Sequence, residues 1–152
     1  MKRFLFKLQP LLKYREYLEQ IAQQNTAKAN MDVQNCKNHI KELNQTFHQE
    51  ADIIDAIIVE GVTANEFKLY QQYIDSVENQ IAEEKLKKIQ LSKILKEKLL
   101  ALKQKSIEKK AMEIYRERLK NEYTQKIIKI EQKELDEISS LKTARKSSNE
   151  TL

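Results

Sequence analysis

The chain has 152 residues, 34% of them charged and 40% apolar, with a net charge of +5 and a single each of glycine, proline and cysteine. A globular domain of this length needs turns built on Gly, Pro, Asn and Asp at defined places, and one glycine with one proline does not supply them. One cysteine excludes an intrachain disulfide, and the absence of a run of about 18 apolar residues excludes a helical membrane span, so a soluble chain in a reducing, cytoplasmic compartment is expected.

The first ten residues, Met1-Lys2-Arg3-Phe4-Leu5-Phe6-Lys7-Leu8-Gln9-Pro10, imitate a secretion signal. Lys7, Gln9 and Pro10 interrupt the apolar stretch before it reaches the length such a signal needs. Pro10 and Gly61 then divide the rest into two unequal arms, residues 11–60 and 62–152. Proline costs a helix interior about 3 kcal/mol and glycine about 1, so each arm is free to form one uninterrupted helix. At about 1.5 Å per residue these would reach roughly 75 Å and well over 100 Å, a rod with one bend.

In the first arm, Leu11, Tyr14, Leu18, Ala22, Thr26, Ala29, Val33, Cys36, Ile40, Leu43, Phe47, Ala51, Ile54 and Ile58 recur at helical spacing. Between Ala29 and Phe47 the steps alternate four and three, a heptad seam. Gln23–Asn30 offers only alanines and Thr26 to that seam, and looser packing is expected there. Gly61 follows where a helix C-terminus favours the left-handed conformation. Thr63 and Glu66 match a capping box, and Val62 with Phe67 a hydrophobic staple. Together they predict a tight antiparallel helical hairpin.

The second arm opens with Phe67, Tyr70, Ile74, Val77 and Ile81. Its pattern slips near Lys85–Ile89, resumes as Leu91, Leu95, Leu99 and Leu102, and continues as Ile107, Ala111, Tyr115, Leu119, Tyr123, Ile127 and Ile130. Steps of four outnumber steps of three, so this seam precesses. The expected fold is all-α: a long antiparallel two-helix coiled-coil hairpin forming a single unit over 1–152. Helix 1 spans about 11–60, the turn 61–63 and helix 2 about 64–142, with a frayed polar tail at 143–152. Positions paired across the turn sum to about 124, which leaves everything beyond Tyr115 overhanging helix 1. Phe4, Leu5, Phe6 and Leu8 lie at the same end and are able to cover part of that overhang.

Signs of catalysis are missing. No glycine-rich phosphate loop is present. His39 and His48 are not one helical turn apart, and Cys36 falls on the seam as a small buried thiol. Carboxylates on a solvated rod are not desolvated and so not poised for acid–base work. No enzyme, cofactor or metal site is expected. From Lys85 to Lys126 there are 14 Lys/Arg against 5 Glu. That excess attracts nucleic acid, anionic lipid or an acidic protein, or simply forms a solvated lysine-rich face. Tyr115 and Tyr123 sit on the apolar stripe rather than outward, so base stacking, and with it nucleic-acid binding, is not expected.

Three segments carry a family resemblance: Lys2-Arg3-Phe4-Leu5-Phe6-Lys7-Leu8-Gln9-Pro10-Leu11-Leu12, then Gly61-Val62-Thr63-Ala64-Asn65-Glu66-Phe67 with Tyr70-Gln71-Gln72-Tyr73-Ile74, and Glu131-Gln132-Lys133-Glu134-Leu135-Asp136-Glu137-Ile138. In order and length the chain resembles the FliJ family, the coiled-coil component of the flagellar type III export apparatus. The resemblance implies an antiparallel two-helix stalk similar to the rotor shaft of rotary ATPases. It implies a FliI-type export ATPase ring bound at the end bearing the termini, a FlhA-type export gate as second partner, and export chaperones as further ones. It also implies peripheral association with the inner-membrane export apparatus.

A basic, tyrosine-bearing overhang suits the central opening of a ring. Leu8, Leu12, Arg15, Tyr115, Arg116, Arg118, Leu119 and Tyr123 are the candidate ATPase-binding residues. The arginines are equally able to pair with Glu113, Glu117 and Glu122 for about 0.2–0.5 kcal/mol each. The family's gate-binding surface lies on the turn half, where Tyr73 and Val77 occupy matching apolar positions. Gln80 and Glu84 depart from that pattern. A stalk of a virulence-type secretion system, a nucleic-acid-binding hairpin using the basic stretch, and a passive spacer or parallel dimer are the alternative readings.

Overall fold

The computed structural model describes residues 3–149. Two helices make up the fold, α1 (Gln9–Glu60) and α2 (Ala64–Asn149), and they form an all-α antiparallel hairpin with no strand among the described residues. Pro10 sits in the first turn of α1, where its missing N–H costs nothing. The Gln9 N–H reaches Phe6 O at 3.1 Å and the Leu12 N–H reaches Leu8 O at 3.0 Å, closing that start.

The contacts divide the chain into two compact units. The turn unit is Leu18–Lys105; the terminal unit joins Met1–Tyr17 to Ser106–Leu152. The turn unit is built around Gly61, whose φ of +96° is the left-handed conformation expected of it. Its N–H returns to Ile57 O at 3.0 Å, ending α1. Thr63 then caps α2: the Glu66 N–H donates to Thr63 Oγ1 at 3.3 Å. The Thr63 N–H and hydroxyl both donate to Glu66 Oε2, at 3.1 and 2.9 Å. These donors hold the Glu66 carboxyl below its usual range, the Thr63 backbone contributing most. A Cβ at position 61 meets nothing within 4 Å, so Gly61→Ala is penalised by backbone conformation alone. Gly61→Ala is expected to cost about 1–2 kcal/mol and Gly61→Asn less, read as a lowered denaturant midpoint at unchanged m-value.

Ala29, Val33, Cys36 and Ile54 from α1 and Val77 and Ile81 from α2 are the buried apolar residues of this unit, and Glu19 is its buried charged one. At Thr26 the hydroxyl lies 2.8 Å from Ala22 O and 3.2 Å from Lys98 O. A short side chain that touches the facing backbone means that the alanine-lined stretch draws the helices together. The slip predicted at Lys85–Ile89 is bridged by half-buried Glu84 and Lys88, which keep the seam in phase with polar side chains. The Cys36 thiol lies 3.4 Å from both Glu84 O and Glu84 Oε2, and burial, then Glu84, pushes its pKa up.

The terminal unit departs from the expected seam. Leu11 and Tyr14 are exposed, while Leu12 is fully buried and Arg15 half-buried. On α2, Ile107 and Tyr115 are exposed, and Glu108, Met112 and Leu119 face inward. The overhang is also shorter than predicted. Residues 3–8 are not helical and run along α2, where they cover Tyr115 to Tyr123. The reason is geometric: Lys7 and Leu8 turn the chain into α1, and the segment before them, outside any helix, advances along α2 faster than the helical rise of about 1.5 Å per residue. Beyond that, every residue from 128 to 146 is exposed. α2 also continues through 143–149, past the boundary expected at 142. The expected tail positions 150–152 lie outside the described residues. No glycine or proline interrupts the stretch, and hydroxyls at Ser140 and Thr143 bond back to Asp136 O and Ser139 O, satisfying themselves inside the helix.

Candidate docking faces

The terminal unit presents two faces on α2. The first is built by the strap, residues 3–8. The Phe4 ring packs 5.7 Å from Tyr123 in a tilted arrangement, and Phe6 lies 6.2 Å from Tyr115 edge-on. Such pairs contribute about 0.5–1.5 kcal/mol beyond the area they bury. Phe6 is buried, whereas Leu5 points to solvent. Strap and helix enclose a shallow groove of about 490 Å³ that Leu8, Leu119 and Tyr123 help to line. Part of the tyrosine stripe on the overhang is therefore partnered by the chain's own N-terminal aromatics, Phe4 and Phe6.

The second face lies beside it on the same helix. Ile114, Arg118, Asn121 and Gln125 line an open groove of about 720 Å³. Arg118 belongs here, donating from Nε to Glu122 Oε1 at 3.1 Å, the predicted i,i+4 partner.

The candidate residues thus separate. Leu8, Tyr115, Leu119 and Tyr123 meet at the strap groove, and Arg118 stands apart. Arg116 is half-buried. Leu12 has no exposed surface and is withdrawn as a docking residue, because the seam runs through it rather than through Leu11. Arg15 is engaged by its own chain: Nη1 donates to Glu108 Oε2, and Nε is buried without a hydrogen-bond partner. Sequence reasoning missed Glu108, although the register across the turn places it opposite Arg15.

In the turn unit the two gate candidates also separate. Tyr73 is 47% exposed and available to a partner, whereas Val77 is 4% exposed and is core. Val77 is withdrawn as a contact residue, since the heptad step that relates it to Tyr73 also turns it into the seam. Among the described residues no group of three or more His, Cys, Asp or Glu side chains is placed to hold a metal. No helix is long and apolar enough to cross a membrane.

The family model for the flagellar FliJ protein matches residues 4–148, which takes in α1 whole and nearly all of α2. The chain belongs to the flagellar FliJ protein family. No curated protein matches this FliJ-family chain. Among solved structures it is similar to a putative YscO homologue from Chlamydia trachomatis, at 18% identity over 91% of this chain and 94% of that one, with a TM-score of 0.47. A likeness of that size adds nothing to the reading of the two faces. The FliJ-family match begins at Phe4, inside the strap.

Proposed function

We propose that this chain is a non-enzymatic stalk and escort protein of the flagellar type III export apparatus. Its terminal unit binds a FliI-type export ATPase ring and the turn half binds a FlhA-type export gate, with export chaperones as further partners, so that ATP turnover is coupled to substrate export. The chain works in the cytoplasm, held peripherally at the inner-membrane apparatus by those partners. Family membership supports the setting. The observation that carries the assignment of faces is the strap groove, where exposed Leu8 and Tyr115 flank the buried Phe6 beside the arginine-bearing outer groove. An aromatic anchor with a basic neighbour is the composition that dominates binding energy at interfaces.

Three measurements test it. The isolated chain does not hydrolyse ATP but changes the rate or assembly of the cognate ATPase. Leu8→Asp with Arg118→Glu, both at exposed positions, weakens ATPase binding at least about tenfold while helicity is unchanged, as losing interface anchors worth roughly 2 kcal/mol requires. Tyr73→Ala weakens the gate complex and leaves the ATPase complex alone. Undiminished ATPase binding by the Leu8/Arg118 variant would reject the terminal unit as the docking site.

A further inference from the structure

Between Lys85 and Lys105, α2 carries eight lysines, one glutamate, no arginine and no aromatic residue, together with eight leucines and isoleucines. All of it lies in the turn unit. The seam against α1 uses Leu91, Leu95 and Leu102, which are half-buried. The others are left over: Leu86 is 64% exposed, Ile89 55%, Ile94 44%, Leu99 50% and Leu100 61%. Pairing with α1 does not explain why solvent-facing positions are branched aliphatics.

Leu86, Ile89 and Leu100 share a face. Leu86, Ile89, Lys93, Lys96, Leu100 and Lys103 follow one another in steps of three and four, so they form one stripe on the helix. Each of them is exposed. A shallow groove of about 550 Å³ runs between Ile89 and the ammonium-bearing stems of Lys85, Lys88, Lys93 and Lys96. Aliphatic and lysine side chains are therefore interleaved along one exposed line of the helix.

We propose that this face docks on an anionic phospholipid surface. Aliphatic side chains flanked by lysines are what the interfacial region of a bilayer accommodates: the branched tips enter the headgroup–acyl boundary, and the lysine stems lie along them with the ammonium groups at the phosphates. Lysine without arginine suits a diffuse anionic surface, since bidentate recognition of a single phosphate favours guanidinium. Nucleic acid is a poorer fit, because unpaired bases call for aromatic platforms and this stretch has none. The face belongs to the turn unit and shares no residue with the strap groove or the groove bearing Arg118, so lipid and ATPase contacts do not compete for the same residues.

Flotation of the full chain with vesicles tests this, comparing phosphatidylcholine alone with an equal mixture of phosphatidylglycerol and phosphatidylcholine. The chain is expected to float with the anionic vesicles only, and to be released by added salt. Reversing charge in Lys93→Glu, Lys96→Glu and Lys103→Glu together lowers the bound fraction at least about tenfold. Ile89→Ser with Leu100→Ser lowers it as well, with charge unchanged. All five positions are exposed, and circular dichroism confirms that the helices remain. Equal flotation with neutral vesicles overturns the proposal, as does undiminished binding by either variant. Failure to float combined with salt-sensitive binding to polyglutamate or duplex DNA overturns it in favour of an acidic protein or a nucleic acid. None of these outcomes bears on the ATPase assignment.

Discussion

Replacing Leu12 by alanine is expected to cost about 2–5 kcal/mol, the largest effect of any single change in the terminal unit. Leu12 is the one large side chain in the described structure with no exposed surface at all. It shares the terminal unit with the buried Phe6 of the strap and with the half-buried Met112 and Leu119 of α2. A thin two-helix layer has few atoms with which to refill the space, so the upper part of the range is expected. The loss is local. Hydrogen exchange along residues 9–17 should accelerate while amides of the turn unit keep their protection. Leu11→Ala makes the control: Leu11 is exposed, and its replacement is expected to change stability by less than about 0.5 kcal/mol. The sequence pattern favours the opposite ranking, so the pair of variants separates the two registers directly.

That reversal marks the limit of what apolar spacing reveals. The turn is fully legible, because Gly61, Thr63 and Glu66 are local signals whose partners lie within four residues. The pairing register follows from it: Thr26 opposite Lys98 obeys it, whereas Cys36 reaches Glu84, about one helical turn from the position expected. The seam from Ala22 to Ile54 is legible too, since alanine, valine, cysteine and isoleucine fill it. It stops being legible where the inward positions are polar. At Glu84 and Lys88, and again at Arg15, Glu19 and Glu108, the helices face each other through charged side chains, and a search for apolar residues slides to the neighbouring Leu11, Tyr14 and Ile107. The strap was foreseeable in part. Pro10 announces that the preceding residues leave the helix, and Phe4 and Phe6 supply the apolar payload. Its reach to Tyr123 depends on the extended rise per residue, which a helical reading of the overhang ignores.

Arg15 decides whether the terminal unit's charges serve docking or architecture. Its guanidinium pairs with Glu108 with about a third of the side chain exposed, and its Nε is buried without a partner. Breaking such a pair from one side leaves a poorly solvated charge, which costs about 3–5 kcal/mol when burial is complete. With this much solvent access, about 1–3 kcal/mol is expected for Arg15→Met or Glu108→Leu alone. The double variant is expected to recover most of that loss, because two apolar side chains of similar volume extend the seam that Leu12 begins. A double-mutant cycle by chemical denaturation measures the coupling. The same proteins carry the functional comparison. If Arg15 were a ring contact, the double variant would bind the export ATPase as poorly as Arg15→Met. A pair that only sets the register predicts that ATPase affinity returns together with stability, and that result is expected here because Glu108 already occupies the guanidinium.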